Sequence, residues 1–585
     1  MQRQAWIGLF LITLLMFMWT FWMARRPSGS TPVPMVDTTS SSQEAKDSLS
    51  TNKVDSASLQ ARLGRYAPFA FGKDSLIVVE NQVARFEFTT KGAALYRHSL
   101  KNITGVQGQP ITLWSPLQKQ AFIFAEGRTL VNSEQLYFTL LHAPRSIAFT
   151  EDSVVFRLTI APDTFIQVSY HIPVDKYHFR HRITFHNLKE KLRNPYLSYI
   201  LSYETPQTEP ATASMRPYCA LYYRQADEVE SLTPDEDEVQ QTVLQGRIRW
   251  ISAKGQFFCT LLQAQDAFSS ATLTSLPFNS LPKYQIELQL PLTDGFTEQQ
   301  WYLGPTRYTL LRSYGEEYEK QLNLGWSFIR YINTAFIIPV FGFLEKYIPS
   351  YGVIIAILAL LVKILLSPLT WRSYLLGVKM QVVNELPEVK ALEEKYKDQP
   401  DKLMIERSLL YRQLGVSPLS GCVPLLLQIP IFFAMTSFFP NAFELRQQKF
   451  LWTSDLSSYD NLLSWGVKIP LIGDHLSLFA LLTALSTLAY TFVVQQSQTT
   501  TPQSLKWLPY LSPIIFFFFL NDYSSALSWY YFVLNLLTIG QTLIMKKFVD
   551  KEALARQLRE IQRKKQNKAQ IAQQRAQMQR WFRRK

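Results

Sequence analysis

The chain has 585 residues, a formal net charge of +14 and 47% hydrophobic residues, an average composition that would suit a soluble protein. This average hides two halves: a mixed, strand-like half before residue 318, and a second half with repeated apolar runs long enough to cross a bilayer. The 3 cysteines exclude a disulfide-stapled scaffold. We expect Cys219 and Cys259 to be isolated buried thiols, and a disulfide between them stays open if their domain lies in an oxidising compartment.

The N-terminus carries an apolar stretch from residue 6 to 23. It is longer than the apolar region of a typical signal peptide, and Ala24, Arg25 and Arg26 follow it instead of a cleavage site. We therefore predict an uncleaved transmembrane anchor over residues 1–24. Residues 25–60 are rich in Ser, Thr, Pro and Asp, which predicts a flexible periplasmic linker.

Residues 61–320 alternate apolar and polar side chains with a period of two, as in "SVVFRLTIAPDTFIQVSYHI" and "YQIELQLPL". This pattern predicts many half-buried strands and a large all-β sandwich. Residues 321–348 are apolar but interrupted by polar residues and Pro339. We favour an amphipathic helix lying in the outer interface of the membrane, and a membrane span is the alternative.

Five further apolar segments predict transmembrane helices, which makes six spans with the anchor. An even number places both termini on one side, and the basic tail 547–585 assigns that side to the cytoplasm. Arg25 and Arg26 follow the anchor and would lie on the outer side, which disagrees with this orientation. We give the tail more weight because it is far more basic. We thus expect an inner-membrane protein with cytoplasmic termini and a periplasmic β domain. The predicted core, residues 349–546, has spans at 352–369, 419–438, 476–494, 507–520 and 526–545.

Between the second and third spans, residues 371–416 are mixed in charge, with a turn at 399–401 and a helix stop at Gly415. This pattern predicts a cytoplasmic helical hairpin. Apolar residues at helical spacing are expected to join its arms: Leu392 and Tyr396 on one arm, Leu403 and Leu410 on the other.

No catalytic motif, phosphate-binding loop or paired-cysteine metal signature is recognisable. The histidine cluster of the β domain lies in strand-like sequence and lacks acidic or cysteine partners at ligand spacing, which favours a structural role over metal binding. We therefore expect no enzyme activity, no metal and no small-molecule cofactor. The cluster comprises His171, His178, His181 and His186.

Lys363 lies inside the apolar segment "GVIIAILALLVKILLSPLT". A central lysine costs about 2.5–3.5 kcal/mol on insertion scales, so something normally offsets it. One explanation is that the side chain extends to the cytoplasmic surface, about 9 Å of helix rise away. The other is a water-filled groove, because polar residues share a face with Lys363 and recur at helical spacing on other spans, although Ser and Thr also serve in ordinary helix packing. These polar residues are Ser367, Thr370, Gln428, Thr483, Thr487, Tyr490, Tyr531, Asn535, Thr538 and Thr542.

Three segments resemble the YidC family of membrane protein insertases. "LLVKILLSPLT" is similar to the second transmembrane helix of that family, "VSPLSGCVPLLLQIPIFFAM" with "ELRQQKFLWTSDLSSYD" to the third helix and its loop, and "SALSWYYFVLNLLTIGQ" to the last helix. The resemblance covers about residues 326–545 in the right order. The preceding domain resembles the periplasmic β-supersandwich of Gram-negative members.

The resemblance implies a hydrophilic groove, open to cytoplasm and lipid, in which an arginine attracts the polar tail of a nascent membrane protein. Lys363 takes that position here; it keeps the charge, lacks the fork of donors and is more sensitive to desolvation. Ala359 replaces a hydroxyl that some members carry. The expected substrate groove consists of Lys363, Ser367, Gln428, Thr487, Tyr531, Asn535 and Thr538.

The basic tail resembles cytoplasmic extensions that help to dock ribosomes, because cationic side chains attract phosphates. Binding of anionic membrane lipid is the equally weighted alternative. The residues expected to make either contact are Lys546, Lys547, Arg563, Lys564, Lys565, Arg583 and Arg584.

These observations predict an insertase and membrane chaperone that acts on nascent membrane proteins, alone or with the Sec translocon. A secondary transporter using Lys363 is one alternative, but such transporters usually show internal repeats, and none is found here. A membrane-anchored carbohydrate-active enzyme is the other, but no acid and base pair is identifiable in the β domain.

Overall fold

The computed structural model describes residues 56–105, 107–210, 212–397, 399–414, 423–469, 473–495, 508–557, 560 and 571. The predicted anchor, Cys422 and most of the basic tail lie outside these residues. The chain divides into a β-rich unit that ends at Gln321 and a helical unit that begins at Leu322.

The β-rich unit begins earlier than the sequence analysis predicts. Helix α1 (Ser56–Leu63) includes residues 56–60, which we assigned to the flexible linker. Leu59 and Leu63 are buried. Four-residue spacing places both on one face of the helix, and their burial orders the end of the predicted linker.

The described strands of this unit form one sheet of four strands and one of 13. The short helix α2 (Thr212–Met215) lies between strands, and α3 (Tyr308–Ser313) follows the last one. The smaller sheet has the order β1-β2-β3-β4, with β1 (Leu76–Glu80), β2 (Ala84–Thr89), β3 (Ala94–Thr104) and β4 (Pro110–Trp114). The larger sheet contains β5 (Lys119–Glu126), β6 (Thr129–Asn132), β7 (Thr139–His142), β8 (Asp152–Ala161), β9 (Thr164–Ile172), β10 (His178–His186), β11 (Tyr196–Glu204), β12 (Ala220–Gln225), β13 (Glu228–Leu232), β14 (Gln240–Lys254), β15 (Phe258–Leu276), β16 (Lys283–Pro291) and β17 (Phe296–Pro305).

The two sheets pack face to face through aromatic side chains. Trp114 of β4 contacts Trp301 of β17 edge to face, with 5.3 Å between ring centroids. Phe86 of β2 contacts Phe179 of β10 in the same way at 5.6 Å. All four rings are buried. The predicted all-β sandwich is therefore confirmed, because the period-two pattern supplies one apolar face for each sheet.

Cys219 and Cys259 are free, buried thiols. β14 lies between β12, which Cys219 precedes, and β15, which contains Cys259. Two strand spacings amount to about 10 Å, too far for a disulfide. Burial raises the pKa of both thiols to about 12, so they are unreactive at neutral pH. The structure thus resolves the alternative in favour of separate thiols.

The helical unit contains apolar helices, a helical hairpin and a small β-hairpin. Its helices are α4 (Ser327–Ile332), α5 (Ile338–Glu345), α6 (Tyr351–Asn384), α7 (Pro387–Lys395), α8 (Pro400–Leu414), α9 (Val423–Phe438), α10 (Leu478–Gln495), α11 (Leu508–Asn521) and α12 (Ser525–Phe548), and its strands are β18 (Leu463–Ile469) and β19 (Gly473–Leu476). In the described part of the chain, three helices are long and apolar enough to cross a membrane: Ser327–Glu345, Tyr351–Asn384 and Ser525–Phe548. Leu478–Val493 and Pro509–Asn521 are shorter apolar helices.

One turn of π-helix, Asn333–Ile337, joins α4 to α5 into a continuous helix. Ile329, Asn333, Ile337 and Phe341 are buried along one side of this helix. In a regular α-helix, residues four apart are offset progressively around the helix axis. The wider π turn offsets them in the opposite direction and so keeps the four buried residues on one side. The opposite side is exposed and aromatic, and its exposed residues include Trp326, Phe328, Tyr331, Phe343 and Tyr347. Because this helix is also long and apolar enough to cross a membrane, the interfacial position stays a prediction and a span stays its alternative.

The helical hairpin has a small core of its own. Val383 and Val389 are buried in it together with Tyr411, and Leu410 packs against it as predicted. The other residues expected to join the arms do not belong to this core: Leu392, Tyr396 and Leu403. Leu554 and Ala555, which follow α12, pack against the same core. The start of the basic tail therefore lies against the helical hairpin.

Candidate functional site

Lys363 faces the interior of the helix bundle. It is only 9% exposed, whereas Ile364 and Leu365 are 58% and 61% exposed. The buried side of α6 contains Ile355, Ala359 and Lys363, four residues apart. Within the residues that the structure describes, the side chain of Lys363 makes no hydrogen bond or ion pair. Because the side chain points inward without a protein anion, an ammonium group there depends on water or on an incoming anionic group.

Two of the predicted groove residues are in direct contact. The side-chain amide of Asn535 on α12 donates hydrogen bonds to Thr487 Oγ1 at 2.8 Å and to Ser486 Oγ at 2.9 Å, both on α10. Farther along, Thr483 Oγ1 donates to the carbonyl of Ser528 at 2.8 Å. These bonds connect α10 and α12 as parallel neighbours, since residue numbers rise together along both helices.

Two further hydrogen bonds connect α12 to α6. Trp529 Nε1 donates to the carbonyl of Gly352 at 2.8 Å, and Gln541 Nε2 donates to Thr370 Oγ1 at 3.0 Å. Lys363 lies along α6 between these two bonds. The two helices are therefore parallel, and their separation on both sides of Lys363 is set by specific contacts.

Tyr531 closes one side of this region. It is 8% exposed, its hydroxyl lies 3.4 Å from the carbonyl of Phe432 on α9, and its ring contacts Phe432 and Phe516. The predicted polar position is thus mostly enclosed by aromatic side chains. Tyr531 offers an amphipathic surface, with an apolar ring and a single hydroxyl.

The structure does not bring every predicted residue into one network. The carbonyl of Ser367 accepts a bond from Thr370 Oγ1 at 3.0 Å, and Thr538 Oγ1 donates to the carbonyl of Leu534 at 2.6 Å. The first of these contacts lies within α6 and the second within α12. Gln428 is half-buried on α9. A role in binding substrate stays a prediction for all seven predicted groove residues.

Sequence reasoning missed Ser486 and Gln541, which make interhelical bonds. Gln541 follows Thr538 by three residues and is the last residue of the quoted "LLTIGQ" segment, so the same helical spacing contained the signal. Ser486 adjoins Thr487 and falls off the expected face. Its role depends on where α12 packs, which local spacing does not specify.

The structure describes only two of the seven basic residues that are predicted to contact the ribosome or lipid. Lys546 and Lys547 are exposed in the last turn of α12. Arg563, Lys564, Lys565, Arg583 and Arg584 lie outside the described residues. In the described part of the chain, no group of three or more potential metal ligands occurs.

Apolar helices with an inward-facing lysine and interhelical polar contacts, combined with a large β sandwich, define a membrane protein that carries a large β domain. The family model described as 60Kd inner membrane protein matches residues 343–552, and the model described as YidC periplasmic domain matches residues 76–336.

Two relatives are named membrane protein insertase YidC. The one from Amoebophilus asiaticus (strain 5a2) is 30% identical, covering 97% of this chain and 96% of its own length. The one from Parabacteroides distasonis (strain ATCC 8503) is 32% identical, covering 88% and 85%. A solved structure described as "Active YidC insertase crystal structure with the first transmembrane domain resolved" covers 80% of this chain and 92% of its own, at 17% identity and a TM-score of 0.31. The chain belongs to the YidC family of membrane protein insertases.

Proposed function

We propose that this insertase binds the polar flank of a nascent membrane segment near Lys363 while the apolar part of the segment passes into lipid. The single observation that carries the proposal is the inward orientation of Lys363 on α6, at 9% exposure. A lysine whose ammonium group extended to the surface would be more exposed than this.

The driving force in this mechanism is apolar partitioning. A segment of about 20 apolar residues gains several kcal/mol on entering the bilayer. That gain offsets the cost of moving a short polar flank, provided that the flank meets a charge and water on its way. The step needs no nucleotide and no covalent intermediate, so the chain acts as an insertase and chaperone without enzyme activity.

The framework around Lys363 supports a fixed cavity wall. Asn535 holds α12 to α10, and the bonds of Trp529 and Gln541 hold α12 to α6. Three helices are thus connected by polar contacts at several levels. Polar groups that bridge helices in this way are available to water or to a polar passenger when a helix moves aside.

The orientation that we propose has both termini in the cytoplasm and the β sandwich in the periplasm. α6, α10 and α12 are parallel in the contacts described above. If α9 and α11 also cross, five successive crossings from α6 to α12 require this direction for alternate helices. Lys546 and Lys547 at the end of α12 then lie on the cytoplasmic side, in agreement with the rule that basic residues stay inside.

The partners that we propose are nascent membrane proteins, the Sec translocon, and either the ribosome or anionic lipid at the basic tail. Leu554 and Ala555 pack on the core of the helical hairpin. This contact directs the start of the basic tail toward that hairpin, so the two form one docking region in which the tail supplies the positive charge. Attraction between the basic side chains of the tail and phosphate groups accounts for binding of either the ribosome or anionic lipid.

The electrostatic part is tested by replacing Lys363 with Arg, Gln or Glu in cells depleted of the native protein. Insertion is followed for two single-span clients that differ only in whether their short N-terminal tail is acidic or neutral. We expect Lys363→Arg to retain insertion and Lys363→Glu to lose it. One charge pair at about 4 Å contributes about 1 to 4 kcal/mol.

The neutral-tailed client is the matched control. We expect Lys363→Gln to slow the acidic-tailed client far more than the neutral one. An equal loss for both clients would indicate damaged packing, and equal activity for all four residues at position 363 would contradict a role for the charge.

A further inference from the structure

The connection between α9 and α10 ends in the β18–β19 hairpin, whose first strand exposes a series of apolar side chains. Leu463 is 58% exposed, Trp465 37%, Val467 69% and Ile469 42%. We call these four residues the hairpin patch. They alternate in the sequence with Ser464, Gly466 and Lys468. An alternation of this kind predicts a strand with one covered face, yet no part of the described chain covers the patch.

The base of this hairpin is attached to the ends of two apolar helices. His475 of β19 is 3% exposed, and its Nε2 donates to the carbonyl of Asn521, the last residue of α11, at 2.9 Å. The amide of Asn521 donates in return to the carbonyl of His475 at 3.0 Å. Two residues after β19, the backbone N–H of Leu478 starts α10 and donates to Asp460 at 2.9 Å. The hairpin therefore emerges where α10 begins and α11 ends.

The reach of the hairpin is short. β19 has four residues, which amounts to about 13 Å of paired strand. The polar interfacial layer of a bilayer is roughly 5 to 8 Å deep on each side. An upright hairpin would lift the patch through this layer into water, whereas a tilted one would keep all four side chains within it.

Two physical arguments favour the tilted position. An isolated two-stranded hairpin is marginally stable in water, and an apolar strand with an open edge invites aggregation. Trp465 Nε1 donates to the carbonyl of Gly473 at 3.2 Å, so its polar atom is already bonded while the ring is presented outward. Tryptophan is enriched at membrane interfaces because such a ring suits the headgroup level. Leu451 and Trp452 are also exposed in the same connection.

We propose that the hairpin patch is a lipid-binding surface that lies in the membrane interface where α10 begins and α11 ends. It holds the ends of these two helices at a set depth. The proposal rests on α10 and α11 being membrane helices and does not involve Lys363, so its failure leaves the groove mechanism untouched.

The test is a spin-label measurement on the full-length protein in vesicles of phosphatidylethanolamine and phosphatidylglycerol. A label is attached at Val467→Cys, with Leu463→Cys as a second patch position and exposed Ser464→Cys as the matched polar control. The chain without an added cysteine supplies the background from the native thiols. Collision with oxygen, which concentrates in lipid, is compared with collision with a water-soluble nickel complex.

We expect labels at 463 and 467 to collide mainly with oxygen and to lose access to nickel, while the label at 464 keeps it. Nickel access at 463 and 467 equal to that at 464 would overturn the proposal in favour of a solvated hairpin. Shielding of 463 and 467 from both reagents would overturn it in favour of a protein occupant. If either patch variant fails to fold, the other one decides.

Discussion

Gly352, at the start of α6, is a point where a single methyl group should disturb the helix contacts around Lys363. A Cβ added there would lie less than 3.0 Å from three ring atoms of Phe450. The Phe450 ring lies tilted against the ring of Trp529, with 5.1 Å between centroids, and Trp529 donates to the carbonyl of Gly352. Gly352→Ala must therefore displace a ring and weaken a bond between α6 and α12.

The expected magnitude follows from these contacts. Overpacking costs about 1–3 kcal/mol, and a weakened hydrogen bond costs up to roughly 1.5 kcal/mol. Alanine recovers about 1 kcal/mol through its better helix propensity. We expect a net loss of about 1 to 3 kcal/mol in local stability, a 5- to 150-fold change in an opening equilibrium.

The assay is hydrogen exchange of the full-length protein in lipid nanodiscs, followed by mass spectrometry on peptides from α6 and α12. Gly377→Ala is the matched control, because it lies on the same helix and nothing lies within 4 Å of its added Cβ. We expect faster exchange in Gly352→Ala and unchanged or slower exchange in Gly377→Ala. The same exchange rates in both variants would refute the close packing of Phe450 on Gly352.

Two other predictions concern polar groups in the two units. Asn535→Ala removes the bonds to Ser486 and Thr487 and should speed hydrogen exchange in α10 by the equivalent of about 1 kcal/mol. Thr538→Val is the control and should leave this exchange unchanged, because the Thr538 hydroxyl bonds within α12. Equal effects of the two substitutions would contradict an interhelical role for Asn535. His98 is buried in the β sandwich, and burial lowers its pKa from 6.5 to about 3. Because unfolded His98 gains a proton below pH 6.5 and folded His98 does not, stability falls as the pH drops from 6.5 toward 3, by about 1.36 kcal/mol per pH unit. His98→Leu should remove about 2 kcal/mol of the stability difference between pH 7 and pH 5, measured as exchange protection in β3 peptides, and an unchanged difference would refute the assignment.

The local pattern of apolar and polar residues was sufficient to predict the main architecture. The period of two in residues 61–320 predicts the sandwich, because alternate side chains of a strand face opposite sides and one side must find cover. Apolar runs predict the helices around 352–369 and 526–545, but not that α6 continues to Asn384. Its extension past the apolar run depends on the core formed with α7 and α8, where Val383 and Val389 are buried.

The candidate site shows the same division. Helical spacing placed Asn535 and Thr487 on polar faces, and the structure brings them into contact at 2.8 Å. Helical spacing did not reveal the contact of Ser486 or the bond between Gln541 and Thr370, since both depend on the register of one helix against another.

The family of this protein, its two kinds of unit and the charge of Lys363 inside an apolar helix were all predictable from the amino-acid sequence. These follow from residue type and period along the chain, which are local properties. Three other features became visible only in the folded chain: Lys363 faces the bundle, a strand separates Cys219 from Cys259, and the β18–β19 hairpin exposes an apolar patch. Each of these depends on which distant segment packs alongside, and burial and pairing between distant segments are settled by the fold as a whole.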